Sequence, residues 1–247
     1  MRAGLIFIIV FSFLTSSHII YAFVPPPILA ENDAPIVRIT DPLDKSKFKW
    51  NALVNYSISI TDKEDGNSEY NEINGKEVLL KVAYLADSVR AKKYLAENIN
   101  TNKNPAGLLL LMKSDCFTCH SAKNKLIGPS YERIAKRYPY NAASIELLTK
   151  KVMKGSVRVW GNTPMPAHPQ IKKQQVKEMI NWILKSSADR NISYYTGLEG
   201  AFRTREHSGK GVYVLTASYT DHGGKDMSKV KKRGMHTIVI EPLPAIK

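Results

Sequence analysis

Both cysteines of this 247-residue chain lie within one pentapeptide, Cys116-Phe117-Thr118-Cys119-His120, and that fact narrows the possible folds more than any other. A disulfide framework is excluded, since a bridge inside the pentapeptide closes too small a loop to stabilise much. Most of the chain must then be held by packing or by something bound. The 43% of hydrophobic residues supplies apolar material for one large or two modest domains. No run of about 20 apolar residues exists, which excludes a multi-span membrane protein.

Cys-x-x-Cys-His is the attachment sequence for c-type haem: two thiols add to porphyrin vinyl groups while the adjoining imidazole takes an axial position on iron. One such motif implies one covalent haem c, with Cys116, Cys119 and His120 as its attachment and proximal residues. A thioredoxin-like redox pair would want a βαβ setting, whereas the apolar run from Leu108 to Met112 leads in as a helix and no parallel-sheet pattern follows. Zinc would need a further ligand pair, and His168, His207, His222 and His236 are scattered.

The chain opens with Met1-Arg2, an apolar run from Leu5 to Leu14 and a small-residue stretch ending at Ala22, the pattern of a cleaved signal peptide over 1–22. The expected product is periplasmic or secreted, with no membrane span after cleavage. Export removes most of the case for nucleic acid as the partner of a chain whose net charge is +14. A Pro-rich leader over 23–33 follows.

Over 34–87, the β-branched or alternating runs Ile36 to Ile39, Ala52 to Ile60 and Val78 to Leu85 are separated by Asp41-Pro42, Asp65-Gly66-Asn67 and Asn74-Gly75. They predict a small β-sandwich. Asp62, Glu64 and Asp65 read as a solvated acidic turn rather than a calcium site. Residues 88–104 are polar and lysine-rich, a linker that is in part helical. Over 105–188 the period becomes helical: Tyr131, Ile134, Ala135 and Tyr138 repeat at helical spacing, as do Val176, Met179, Ile180 and Ile183, with Ile145, Leu148 and Val152 on a third face. The stretch 189–247 returns to strands, Gly211 to Tyr219 and His236 to Ile240, too few to stand alone. They either complete the N-terminal sheet, making the helical unit an insertion, or pack on its surface. The fold class is thus multi-domain, an all-α haem-binding unit flanked by sandwich-like strands.

The sixth iron ligand decides what such a haem does. Met153 and Met179 fall on helical core stripes, and Met227 and Met235 in a polar C-terminal cluster. Met165 differs, because Thr163-Pro164-Met165-Pro166 cannot continue a helix and its prolines stiffen a loop that presents a thioether. Met165 is the expected distal ligand. A thioether favours ferrous iron, and a filled sixth position excludes oxygen, leaving electron transfer.

From about Ala106 to Ser187 the chain resembles the class I c-type cytochromes of the short bacterial kind. The matching pieces are the pentapeptide, Ile127-Gly128-Pro129-Ser130-Tyr131, Val159-Trp160-Gly161 and Pro164-Met165-Pro166, with His120 and Met165 45 positions apart. The resemblance implies that the Pro129 carbonyl accepts the Nδ1 hydrogen of His120, and that the Trp160 indole bonds a haem propionate, with Arg137 a weaker candidate for the same charge. It also implies a crossing of first and last helices near Gly107 and Trp182. Asp115 through His120, together with Met165-Pro166-Ala167-His168-Pro169, is similar to cytochrome modules fused to or encoded beside PQQ-dependent sugar dehydrogenases of the glucose/sorbosone type. In that setting the first strands resemble a PKD-like or immunoglobulin-like module. The implied function is a monohaem electron carrier and not an enzyme, taking electrons from a sugar dehydrogenase and passing them to a cytochrome or oxidase. The alternative is a haem-containing subunit, sensor or carbohydrate-interaction protein in which the β modules carry the main binding role.

Overall fold

A computed structural model describes residues 32–98, 104–186, 189–206, 211–224 and 230–244. The expected signal peptide and the leader up to residue 31 lie outside the described residues, as does Met227. The strands β1 (Ile36–Asp41), β2 (Lys47–Phe48), β3 (Leu53–Asp62), β4 (Gly66–Asn67) and β5 (Leu79–Leu85) come first. Helices α1 (Ser88–Asn98), α2 (Ala106–Lys113), α3 (Cys116–Cys119), α4 (Tyr131–Arg137), α5 (Ala142–Lys154) and α6 (Lys173–Ser186) follow, and β6 (Ile192–Thr196), β7 (Glu199–Arg203), β8 (Val212–Thr220) and β9 (Arg233–Pro242) close the fold.

Strand β3 is the centre of one sheet, pairing with β1 on one edge and with β4 and β7 on the other. The second sheet runs β2-β9-β8-β5-β6. Alternation along β3 turns Tyr56, Ile58 and Ile60 inward, where they meet Leu80, Val82 and Tyr84 of β5, Leu215 and Tyr219 of β8 and Ile238 of β9 in one core. The two sheets therefore face each other across shared apolar packing.

Strand β5 runs antiparallel between β6 and β8, with Val82 opposite Ser193 and Leu215. The C-terminal strands thus complete the sheet that β5 begins, and the helices are inserted between β5 and β6. Strands β5 and β8 read as nearly continuous apolar runs because both of their faces are covered. Ala83, Val212 and Val214 pack on Ala91 of α1, which occupies most of the stretch expected as a linker, and Leu79 joins the helical core. Among the described residues four strands follow Asp189, where two were legible. In β6 and β7 the apolar residues are interrupted by Gly197 at φ +127°, a turn that shortens each run to five residues. Met235, read as part of a polar cluster, pairs opposite Ser218 within β9.

The helical unit is built around α2 and α6. A Cβ at Gly107 would lie 2.5 Å from the Glu178 carbonyl oxygen and 2.5 Å from the Trp182 Cβ, so the two helices cross at the expected place with backbone almost in contact. Ser130 caps α4 and Asn141 caps α5, each side-chain oxygen accepting a backbone N–H of the first turn. The sheet grips this unit from behind: Tyr194 of β6 sets its ring edge-on to Trp182 at 5.3 Å, and Lys76 pairs with Asp115 at 2.9 Å. Among the described residues no helix is long and apolar enough to cross a membrane.

The acidic turn after β3 is more buried than its composition suggests. Asp62, 6% exposed, accepts the backbone N–H groups of Glu64 and Asp65 through Oδ1, and so closes the turn on itself. Asp65 Oδ2 accepts the Tyr219 hydroxyl at 2.7 Å and the His222 backbone and ring N–H at 3.0 and 2.9 Å. Glu77 lies 3.4 Å from the other ring nitrogen of His222. Burial opposes the imidazolium there, but the Asp65 and Glu77 carboxylates outweigh it and the His222 pKa is raised. Among the described residues no group of three metal-ligating side chains is assembled.

Two outcomes follow from this packing. Gly107→Val is expected to destabilise the protein by about 1–3 kcal/mol through overpacking at the helix crossing, read as a lowered denaturation midpoint. A raised His222 pKa means that its stabilising contribution is full below the ordinary imidazole range and fades as pH rises through the folded value. The difference in melting temperature between wild type and His222→Gln should accordingly shrink from mildly acidic to alkaline pH; parallel curves would refute the coupling.

Candidate functional site

Helix α3 is a single turn, and it begins after Asp115 in the left-handed region at φ 56°, a conformation that Asp tolerates better than most residues. Positions i and i+3 of that turn share a face, so Cys116 and Cys119 line the same cleft. The chain then leaves the helix in extended conformation at His120, which carries the ring into the cleft. The His120 Nδ1–H donates to the Pro129 carbonyl at 2.6 Å, which leaves Nε2 with a free lone pair. Tyr131 stacks on the ring with centroids 5.7 Å apart and planes 20° from parallel.

Gly128 explains why the ring can sit there. A Cβ at this position would lie 2.5 Å from His120 Cε1, so only glycine admits the imidazole, and its N–H is tied to the Cys119 carbonyl at 2.8 Å. Burial pushes the His120 pKa down, against the opposing pull of the Pro129 carbonyl, so the ring stays neutral as a ligand must be. Burial likewise pushes the Cys116 thiol up to about 11, helped by the Asp115 carboxylate.

The facing wall is the segment from the end of α5 to the start of α6. Ser156 and Met165 exchange two backbone hydrogen bonds, 3.0 and 2.8 Å, which hold the Met165 loop against the helix end. Trp160 is flanked by two guanidinium groups, Arg137 at 4.5 Å and Arg133 at 5.5 Å from its ring. Arg137 also donates to the Val159 carbonyl at 2.9 Å. Between the walls lie Leu111, Ile134, Leu148, Val152, Ile180 and Ile183, an apolar lining. Helix α6 thus shows Met179, Ile180 and Ile183 to the cleft and Trp182 to the sheet.

One cleft therefore gathers all six residues expected from the sequence: Cys116, Cys119, His120, Pro129, Trp160 and Met165. Arg137 stands behind Trp160 rather than among the lining residues. Two thiols, an imidazole whose Nδ1 is tied to Pro129, a methionine and an oily lining fit a large flat metal macrocycle, and the absence of a side chain at Gly128 keeps the ring seated. The sequence showed Gly128 without a role and His168 only as one of the scattered histidines and as part of a family-like string; His168 also lines the cleft. The signal for His168 was its place three residues after Met165, between two prolines.

Residues 106–187 match the family described as Cytochrome c. The chain is 39% identical over 79 residues to "Cytochrome c-551" of Allochromatium vinosum, a stretch covering 32% of this chain and 84% of that protein. It is 40% identical over 79 residues to "Cytochrome c2" of Rubrivivax gelatinosus, covering 31% of this chain and 93% of that one. "Cytochrome c-552" of Hydrogenobacter thermophilus is 37% identical over 76 residues, 30% of this chain and 76% of that protein.

Gly128→Ala tests the seating of the ring. The added methyl group is expected to displace the imidazole, break the bond to Pro129 and destabilise the protein by about 1–3 kcal/mol, measured by denaturant unfolding. Retention of the hydrogen-bonded Nδ1–H signal in NMR would refute the role given to this glycine.

Proposed function

The chain belongs to the cytochrome c family, with one haem c on Cys116 and Cys119, and from that premise we propose that it is an exported monohaem electron carrier. The haem, when bound, supplies one-electron exchange between ferric and ferrous iron. The observation that carries the reading is the convergence of both thiols, the His120 ring and Met165 on one apolar cleft. His120, through Nε2, and Met165, through its thioether, are the side chains that would hold the iron. The Pro129 carbonyl fixes the ring orientation and strengthens the imidazole as a donor. With Met165 as a ligand the haem would supply electron transfer at a raised potential rather than chemistry on a bound substrate. Trp160, with Arg137 and Arg133 stacked on it, is the proposed anchor for a propionate.

We further propose that the helical unit 105–188 is served by the surrounding strands as a PKD-like or immunoglobulin-like module, a reading supported by two sheets around one core. The proposed donor is a quinoprotein sugar dehydrogenase and the acceptor a cytochrome or oxidase. A signal peptide over 1–22 would deliver the chain to the periplasm and leave a net charge of about +13. Such a charge favours an acidic docking face on the partner and an exchange rate that falls with salt.

Full-length protein from a periplasm competent in haem maturation tests this. Intact mass should show one haem. The ferric spectrum should carry the weak near-infrared band of thioether ligation, and the ferrous form should resist carbon monoxide. Mixing the oxidised protein with a sugar dehydrogenase and its sugar should raise the ferrous α-band, more slowly at high salt. Bare polypeptide would overturn the haem reading, and a silent mixture would overturn the donor.

A further inference from the structure

We propose that His168 is a second, latent distal ligand, placed to take the haem iron when the Met165 thioether is lost. The inference rests on the haem and Met165 reading above and extends it to a residue with no role there. Three observations support it. First, His168 lines the same cleft as Cys116, Cys119, His120 and Met165. Second, the backbone at His168 is anchored: its N–H donates to the Val152 carbonyl at 3.0 Å, and its own carbonyl accepts from Ile171 at 3.3 Å. Pro166 and Pro169 stiffen the segment on either side. Third, no hydrogen bond ties the His168 ring to another described residue, so its nitrogens are uncommitted.

The distance to be covered is short. His168 lies three positions after Met165, a span of at most about 10 Å of extended chain, so exchange of one donor for the other needs only an adjustment of the loop held at Ser156 and Val152. Lys125 and Lys151 also line the cleft. An ammonium must give up a proton before it can ligate, whereas a neutral imidazole offers its lone pair directly and suits iron well.

The test compares full-length holoproteins with one another. Met165→Leu, which nearly preserves side-chain volume, and Met165→Ala should lose the near-infrared thioether band yet remain low-spin in the ferric state. Their electron paramagnetic resonance should show paired imidazoles, and their midpoint potential should fall. His168→Ala alone should keep the wild-type spectrum. Met165→Ala with His168→Ala should become high-spin and bind carbon monoxide readily. A high-spin single Met165 variant overturns the inference, as does a double variant that stays low-spin, which would point to Lys151 or Lys125 instead. Survival of the near-infrared band in Met165→Leu would remove Met165 as the ligand, a failure of the underlying reading distinct from the other two.

Discussion

The site depends on a single short contact, the 2.6 Å hydrogen bond from His120 Nδ1 to the Pro129 carbonyl. It selects one tautomer, and in doing so aims the remaining nitrogen into the cleft. The contact exists only because the chain returns after α3 with a residue lacking a side chain beneath the ring. Gly128, Pro129 and Tyr131 therefore act as one cradle, the first admitting the imidazole, the second holding its proton and the third stacking on its face. In this light the pentapeptide alone is half of a motif whose other half lies eight to eleven residues downstream.

The strands do more than append a second body. Sheet residues enter the helical core directly, through Leu79, and Tyr194 covers the outer edge of Trp182. Lys76 reaches from the turn before β5 to the residue that opens α3. The Tyr194 contact falls on a face of α6 other than the one that lines the cleft, so the sheet braces the unit from behind. An exposed ion pair of this kind contributes little by itself; the buried apolar contacts carry the junction.

How much could be read in advance differs by element. The helix stripes of α4, α5 and α6 and the alternating runs of β1 and β3 were legible because each follows its own period, and β5 because it is a short, nearly continuous apolar run. Among the expected site residues that line the cleft, the cysteine pair with its histidine and the methionine of Pro-Met-Pro stand in local motifs, whereas Pro129 and Trp160 were implied only by the family resemblance. Strands β6 and β7 were illegible, since five residues broken by a glycine turn give too little pattern. The pairing of β5 with β8 was open for a different reason: register between strands more than a hundred residues apart is set by tertiary packing, and a single sequence holds no record of it. Asp62 shows the same limit, a carboxylate that looks solvated in the sequence and is buried by its own turn.

The placement of the helices between β5 and β6 bears on the order in which the chain acquires its shape. Ala83 cannot meet Ile192 until everything between them has been made, and closing so long a flexible loop is entropically unfavourable. The helical insert, whose contacts span shorter stretches of chain, can form much of its packing first. Once it has done so, its two ends are drawn together, and the remaining gap that the sheet must bridge is far smaller than the number of intervening residues suggests. Covalent capture of a macrocycle within the insert would then act as a clamp on the segment that separates the two paired strands.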